Sequence, residues 1–437
     1  MKESYYLKVR LLSPVHIGTG EYYEPTNFII HNHHLYEFDP FAFYRELDEQ
    51  KRHIFNDLVA QADPGIFIRL HAFIQAHHDI AISLAHHVVP VSEGIVKEYE
   101  TKIGDYKAYD REHKERGFKQ FQMMRTQRLT NLKMPYISGS SLKGAISTAY
   151  QSMLYQKDFS AWRQHFKELR NPTLSPMKNL LLSDLHPIQS DTKIGYALNK
   201  ERFEEGGHGP SIRVEAMMPE TLFVGRLELK SFEPRLLREF ETIADACNEH
   251  YLPILASLFS HQEMTPRYVS ETFKQKIASL KLDKNRFIVR VGRYSGARSV
   301  TIEGLRAIMV TLCDLKHKSD SAFEQIEAKI ERLYKKSYFE NHETVERLMT
   351  DEKLLNPKEL RTQLQSYHFM KKPSELEETA KTIKRLAIKC YLTEETTSWF
   401  FSDKEESENQ MLPFGWLLCE RIGRDEYHEV FAKSKHI

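Results

Sequence analysis

Alternation at the N-terminus writes the first strand. Tyr5, Leu7, Val9 and Leu11 fall on one side and Tyr6, Lys8 and Arg10 on the other, the period-two pattern of a half-buried strand. Ser13-Pro14 ends it, and PVHIGTG (14–20) makes a glycine-bearing loop. Phe28-Ile29-Ile30 and Leu35-Tyr36-Glu37-Phe38, separated by Asn32-His33, predict a hairpin. Asp39-Pro40 then supplies the N-cap and first residue of a helix with Phe41, Tyr44 and Leu47 on one side. Past a less regular stretch at 60–135, Leu142, Ala145, Ile146, Ala149 and Met153 recur at helical spacing, and NLLLSD (179–184) reads as a strand. Gly206-Gly207-His208-Gly209-Pro210 has the composition of a mobile linker or loop tip.

A second half begins near Ser211. Residues 221–229 read as a strand, and Pro234 opens a helix with Leu236, Leu237, Phe240, Ile243, Ala244 and Cys247 at 3.6 spacing. The strand pattern at 287–291 runs into a further glycine loop, GRYSGAR (292–298). Helical patterns at 322–334 and 374–388 precede a last strand-like run, FGWLL (414–418). Each half thus offers strand, glycine loop, helix and strand in an α+β order. That order fits the ferredoxin-like βαββαβ plan, used twice, with antiparallel sheets and helical insertions. The expected division is 1–210, with an insertion around 60–135, and 211–437 with helical segments; 437 residues suffice for two or three cores.

Hydrophobic residues make up 41% of the chain, no run approaches a membrane span, and MKESYYLKVR lacks an apolar signal region, so a soluble protein is expected. Cys247, Cys313, Cys390 and Cys419 are scattered without a CxxC pair. They suit a reducing cytoplasm and offer neither a disulfide framework nor a thiolate zinc site. The 21 histidines include His31, His33, His34 and the pairs His77-His78 and His86-His87. Adjacent histidines point in different directions, and only His31 and His33 share a strand face, so no metal or cofactor is assigned. The net charge of +1 gives no global nucleic-acid signal. Its distribution does more: 116–133 carries Lys119, Arg125 and Arg128 without an acid, and 281–298 carries Lys284, Arg286, Arg290 and Arg293 against Asp283. Two such stripes can hold a polyanion locally.

The strongest candidate chemistry is ISGSSLKGAIST (137–148). A serine N-cap leaves helix N–H groups pointing outward, the dipole adds positive charge, and Lys143 supplies a cation, which together suit a phosphate. It is not a mononucleotide P-loop. Gly139 and Gly144 have the right separation, but Ala145 and Ile146 follow where Lys and Ser or Thr are needed. Three glycine loops beside hydroxyl and basic residues point instead to a surface that tracks a phosphate backbone. Phe118, Phe121 and Tyr294 are candidate stacking platforms for unpaired bases, with core packing as the ordinary alternative.

The motifs SPVHIGTGEYYEPTNFII, LYEFDP, YISGSSLKGAI, LLSDL, MMPETLFVGRLEL and PFGWLL, in that order from about residue 5 to 418, resemble the CRISPR-associated RAMP superfamily. Within it they are most similar to the capping subunit of the type III-A effector, the fifth subunit of the Csm complex. The resemblance implies two ferredoxin-like, RRM-related domains and a non-catalytic role at the head of a ribonucleoprotein filament. There the subunit contacts the 3′ part of the guide RNA (crRNA) and supports its maturation in antiviral defence. The implied partners are the guide RNA, the other effector subunits, above all the filament-backbone RAMP subunit, and host nucleases that trim the guide. The RNA-facing loops of the family fall on His16, Gly18, Thr19 and Gly20, and on Ser138, Gly139, Ser140, Ser141, Lys143 and Gly144. A looser correspondence adds Arg293, Tyr294, Ser295, Gly296 and Arg298.

The rival within the superfamily is a metal-independent RNA endonuclease, with His16 as general acid or base beside Lys143. Asp39 is better explained as an N-cap and Asp184 as fixing a turn beside the RNA loop, so no catalytic residue is assigned. A protein scaffold without nucleic-acid contact is the third class, and the glycine loops argue against it. Segments 60–135 and 340–410 carry no recognisable motif.

Overall fold

Leu7, Val9 and Leu11 are wholly buried, as the alternation requires, because their strand is the middle one of an antiparallel sheet. The computed structural model describes residues 2–61, 66–104, 121–129, 133–168, 175–202, 208–230, 239–260, 264–302, 307–310, 388–391, 397–407 and 409–434. Its strands are β1 (Lys2–Leu11), β2 (Gly18–Tyr23), β3 (Phe28–His31), β4 (His34–Glu37), β5 (His87–Pro90), β6 (Met123–Thr126), β7 (Leu180–Leu182), β8 (His186–Gln189) and β9 (Thr192–Glu201). They continue with β10 (His208–Met217), β11 (Leu222–Lys230), β12 (Arg286–Arg290), β13 (Ala307–Val310), β14 (Ile388–Tyr391), β15 (Thr397–Ser402), β16 (Leu412–Pro413) and β17 (Trp416–Ile422).

The first sheet runs β12–β17–β1–β11–β7, with β8 also pairing with β11. Helices Gly139–Lys157 and Phe240–Ser257 pack on each other and against β12. They bury Leu142, Ala145, Ile146 and Ala149 from one and Ile243, Ala244 and Cys247 from the other. The Tyr251 hydroxyl joins them by donating to the Ala145 carbonyl at 3.1 Å. Helix Arg424–Ser434 packs on β1, β8 and β11, where Tyr6, of opposite parity to Leu7, meets Tyr427 at 4.6 Å between ring centroids.

Along the chain, β1, helix, β7, β11, helix and β12 give a βαββαβ order. In space those strands lie fourth, first, third, second, the ferredoxin-like arrangement, with β17 inserted between the fourth and the first. The α+β class with antiparallel sheets and helical insertions is therefore what the chain adopts.

The boundary expected at 210/211 is displaced. It falls inside β10, and the ferredoxin-like unit takes β1 and β7 from one side and β11 and β12 from the other. The strand, helix and strand read as opening a second domain complete the first.

The second sheet runs β16–β15–β9–β10–β6–β2, with β6 and β10 parallel and the rest antiparallel. Its core groups Met124, Ala197, Val214, Ala216, Tyr294, Phe401 and Phe414. A three-stranded sheet, β3–β4–β5, builds the insertion. Asn32 and His33 both take positive φ, 47° and 60°, the conformation a two-residue hairpin turn demands. Asp39 accepts the Phe41 N–H at 2.8 Å as the N-cap of helix Pro40–Glu46. Ile29, Phe38, Phe43, Leu47, Leu70, Ile74 and Ala81 form the insertion's own core. The insertion thus begins at β3 rather than near residue 60, because the hairpin pairs with β5, whereas β6 belongs to the second sheet.

Residues 300–396 are assigned to a separate unit, whose described part is residues 300–302 and the antiparallel strand pair β13–β14. The helices expected at 322–334 and 374–388, most of 340–410, Gly206-Gly207, Phe118 and Lys119 lie outside the described residues.

Candidate nucleic-acid interface

The chain passes between the two sheets repeatedly, and four of these passages are laced together. Gly415 N–H donates to the Pro14 carbonyl at 2.8 Å, Val291 N–H to Gly415 at 2.9 Å and Arg293 N–H to His16 at 3.0 Å, while Val15 and Met217 exchange both backbone bonds. Gly292 and Gly415 sit at φ +92° and +96°, a region L-residues avoid. A Cβ on Gly292 would also come within 2.6 Å of the His16 carbonyl, and one on Gly415 within 2.5 Å of the Val291 carbonyl. The HIGTG loop and the GRYSGAR loop, 276 residues apart from His16 to Gly292 (292 − 16), are therefore one site.

From this seam β2 emerges as a sheet edge. Gly18, Thr19, Gly20, Glu21 and Tyr22 are all exposed, and β6 is their partner on one side. Arg293 is exposed beside them, its Cδ 4.0 Å from the position a Cβ on Gly18 would take. No carboxylate among the described residues pairs with its guanidinium. Tyr294 lies beneath, 3% exposed, with its hydroxyl on Met124 Sδ at 3.3 Å and its acidity suppressed by burial to a pKa of about 12. It is a core residue rather than a stacking platform, and buried Phe121 likewise. Ser295 is buried and donates to the Gly292 carbonyl at 2.8 Å, so it fixes the loop. Gly296 takes positive φ, and Arg298 stands beside His250.

His16 is buried under the edge, 1% exposed. Its Nδ1 lies 2.7 Å from the Glu215 carbonyl, and its ring 5.6 Å from that of Tyr294. Burial, helped by the Arg293 charge, pulls its pKa down to about 4. The Glu215 side chain is wholly buried as well. It accepts from Tyr23 Oη at 3.1 Å, from the Thr126 N–H at 3.2 Å and from Arg128. Arg128 also donates to Thr192 Oγ1 at 2.9 Å and to the Lys133 carbonyl at 2.6 Å. A polar cavity of about 410 Å³ adjoins this network, lined by His86, His87, Arg128, Lys133, Asp191 and Thr192 among others.

The basic stripes are largely consumed by the fold. Arg125 pairs with Glu37 and stacks 4.3 Å over Tyr23. Arg286 pairs with Glu420 at 2.6 Å. Arg290 is buried, donates to the Phe414 carbonyl at 2.8 Å and lies over Trp416. Among the described members of the two stripes named above, Arg293 and Lys284 are both exposed without a carboxylate partner among the described residues, and Arg293 is the one that lies beside the β2 edge.

The ISGSSLKGAIST motif does cap a helix, but its groups are already spoken for. Ser138 Oγ accepts the Ser141 N–H at 3.3 Å, and the Asp184 carboxylate accepts the Gly139 N–H at 2.8 Å. Ser140 Oγ donates to Ser138 Oγ. A Cβ on Gly139 would lie 2.6 Å from the Leu182 carbonyl, so this glycine serves close packing; exposed Gly144 has open space around it. Lys143 Nζ donates to the Leu180 carbonyl at 2.8 Å, and burial lowers its pKa. A helix N-terminus that already holds a carboxylate repels a phosphate, and the mobile cation read from sequence is a tether between helix and β7. The motif still adjoins the seam: Gln127 N–H donates to the Ile17 carbonyl at 2.7 Å, and Tyr136 N–H donates to Gln127 at 3.3 Å. Lys143→Ala is therefore expected to leave the salt dependence of RNA binding unchanged in anisotropy titrations, while costing about 1 kcal/mol of stability in urea unfolding.

Sequence reading missed Glu215 and Arg128 as partners, and Tyr22, 36% exposed on the edge strand. Nothing local marks a glutamate as the buried anion of an arginine 87 residues away. Among the described residues no group of three His, Cys, Asp or Glu side chains is placed to hold a metal ion, and no helix is long and apolar enough to cross a membrane.

The family model of the RAMP superfamily matches residues 8–342. The chain belongs to the RAMP superfamily. This RAMP protein is similar at 15% identity to a chain in the cryo-EM structure of a Csm–crRNA–target RNA ternary complex of a type III-A CRISPR-Cas system, with TM-score 0.50 over 96% of this chain and 100% of that one. At that identity the likeness is one of RAMP fold. The crystal structure of T. onnurineus Csm5 is similar at 16% identity and TM-score 0.44, over 67% of this chain and 91% of that one. No curated protein sequence matches this RAMP chain.

Proposed function

We propose that this RAMP protein is the RNA-binding subunit that caps the head of a cytoplasmic type III-A effector, contacting the 3′ part of the guide RNA and supporting its maturation without cutting it. The observation that carries the reading is the open edge Gly18–Tyr22 with Arg293 beside it, which has no carboxylate partner among the described residues, in a chain whose fold follows a protein of a Csm–crRNA–target complex along 96% of its length. Exposed backbone and one unpaired guanidinium suit a ribose-phosphate chain, which they hold without reading bases. The non-catalytic part rests on His16 and Lys143. A buried imidazole with pKa about 4 is a poor base at neutral pH, and Lys143 is bound to Leu180. The filament-backbone subunit is the expected protein neighbour, and trimming falls to host nucleases.

Fluorescence anisotropy with single-stranded RNA at two salt concentrations tests this, with the same samples run on a gel with and without divalent metal. Salt-sensitive binding with intact RNA is expected, and Arg293→Ala should lower the slope of log affinity against log salt by roughly one. A slope that Arg293→Ala does not move would remove this edge as the interface. Metal-independent scission lost in His16→Ala would replace the capping role with a nuclease.

A further inference from the structure

Two tyrosines stand side by side at the end of β2, and the pleat sends them to opposite faces of the sheet. Tyr23 is paired with Met123 and Tyr22 with Met124, and directly paired residues share a face. Tyr23 lies in the core, 1% exposed, with its hydroxyl on Glu215. Tyr22 shares the face of Met124, whose Sδ accepts the Tyr294 hydroxyl at 3.3 Å. At the sheet edge, however, the Tyr22 ring is 36% exposed. Among the described residues no aromatic ring packs against it and its hydroxyl has no hydrogen-bond partner. A flat ring fixed on a strand, half in water and without a neighbour of its own, has the properties of a stacking platform.

The same face carries the cation. Arg293 directly precedes Tyr294, and its Cδ stands 4.0 Å from the position a Cβ on Gly18 would take. Gly18 pairs with Thr126 and Tyr22 with Met124, so a longer piece of β2 spans two residues of β6. The surplus arches out of the ladder: Gly20 takes φ +87° with open space around it, and the Glu21 N–H turns back onto Thr19 Oγ1 at 3.0 Å. A regular strand would hold Gly18 and Tyr22 about 14 Å apart; the bulge brings them to about 7 Å. That separation suits a phosphate and the base of one nucleotide. The exposed Glu21 carboxylate disfavours a phosphate on the arch itself, which leaves the Arg293 end for the charge and the Tyr22 end for the base.

We propose that the Tyr22 ring is the platform on which one unpaired base stacks while Arg293 holds a phosphate of the same strand, so that Tyr22 makes this edge favour single strands over duplexes. The inference rests on the RNA-binding reading and adds the side chain that engages a base. Stacking uses the π-face that every base has, so it adds affinity without sequence preference. Inside a duplex each base is already stacked on both sides and has no free face to offer.

The test measures the full-length protein's affinity for three probes in anisotropy titrations: a single-stranded RNA, the blunt duplex of the same sequence, and an abasic ribose-phosphate strand of the same length. Tyr22→Ala should weaken binding of the single strand roughly tenfold, the loss expected when a stacking ring is removed. It should leave the abasic strand and the duplex unchanged, and Tyr22→Phe should restore the wild-type constant. The slope of log affinity against log salt should stay the same in Tyr22→Ala, because no charge is lost, whereas Arg293→Ala lowers it. Thermal melts establish that each variant is folded. Wild-type affinity of Tyr22→Ala for the single strand overturns the inference while leaving RNA binding standing. Equal losses on all three probes overturn it too, since a ring that stacks on a base cannot be felt by a strand without bases. Absence of salt-sensitive binding to any probe removes the RNA reading and the inference with it.

Discussion

The melting temperature of this RAMP protein should fall steeply once the pH drops below about 6.5. His16, His71 and His250 are each held neutral in the folded chain with pKa pulled to about 4, and His87 to about 3, burial being the first cause for all four. His71 lies between the Pro25 carbonyl and the Tyr99 hydroxyl. His87 approaches Glu215 only to 3.9 Å, and being neutral it forms no ion pair there. The unfolded chain protonates these side chains near 6.5, so between there and the folded values it binds more protons than the native state. The stability they contribute is whole above 6.5 and is lost as pH falls toward 4. At one pH unit below the free value each costs roughly 1.4 kcal/mol, and four together are of the order of a domain's net stability. Calorimetry across this range should show unfolding taking up roughly three to four protons near pH 5.5. A melting temperature flat down to about pH 5 would mean these imidazoles are accessible to protons in the native fold.

Arg128→Ala should destabilise the protein by roughly 3–5 kcal/mol, the cost of leaving a buried carboxylate without its cation. Glu215 is 0% exposed; without Arg128 it keeps the Tyr23 hydroxyl and the Thr126 N–H, both neutral donors. Pairing Arg128→Met with Glu215→Gln removes charge and counter-charge at similar volume and should recover most of that loss. Urea unfolding of the two variants decides it. A single variant within about 1 kcal/mol of wild type would mean that the carboxylate reaches water.

What sequence revealed was local. The alternation of β1, the Asn32-His33 turn, the Asp39 cap and the apolar stripes of helices Gly139–Lys157 and Phe240–Ser257 each depend on residues within a turn or two of one another. Two kinds of fact were not legible. Strand partners depend on pairing across hundreds of residues, so the β10 boundary and the insertion of β17 between β12 and β1 could not be read from periodicity. Charge counts likewise show the arginines of a stripe but not the glutamates that fold back on them: Arg125, Arg128 and Arg286 meet Glu37, Glu215 and Glu420. In the candidate site, HIGTG and Arg293 were found by their residue types. The burial of Tyr294 and the capture of Lys143 by Leu180 follow from packing alone.

The seam between the sheets also sets a rule for biosynthesis. Trp416 N–H donates to Ser13 Oγ, 403 residues earlier, and Gly415 closes on Pro14. The emerging chain must therefore hold β1 with one edge unpaired until the ribosome has made almost everything in between, an exposed edge being a hazard for misassembly. Pro14, two residues before the HIGTG loop, acquires its backbone partner only when residue 415 arrives. A polypeptide cut short before that point lacks the brace between Gly415 and Pro14 beside the β2 edge, so the topology itself leaves incomplete products without a finished seam.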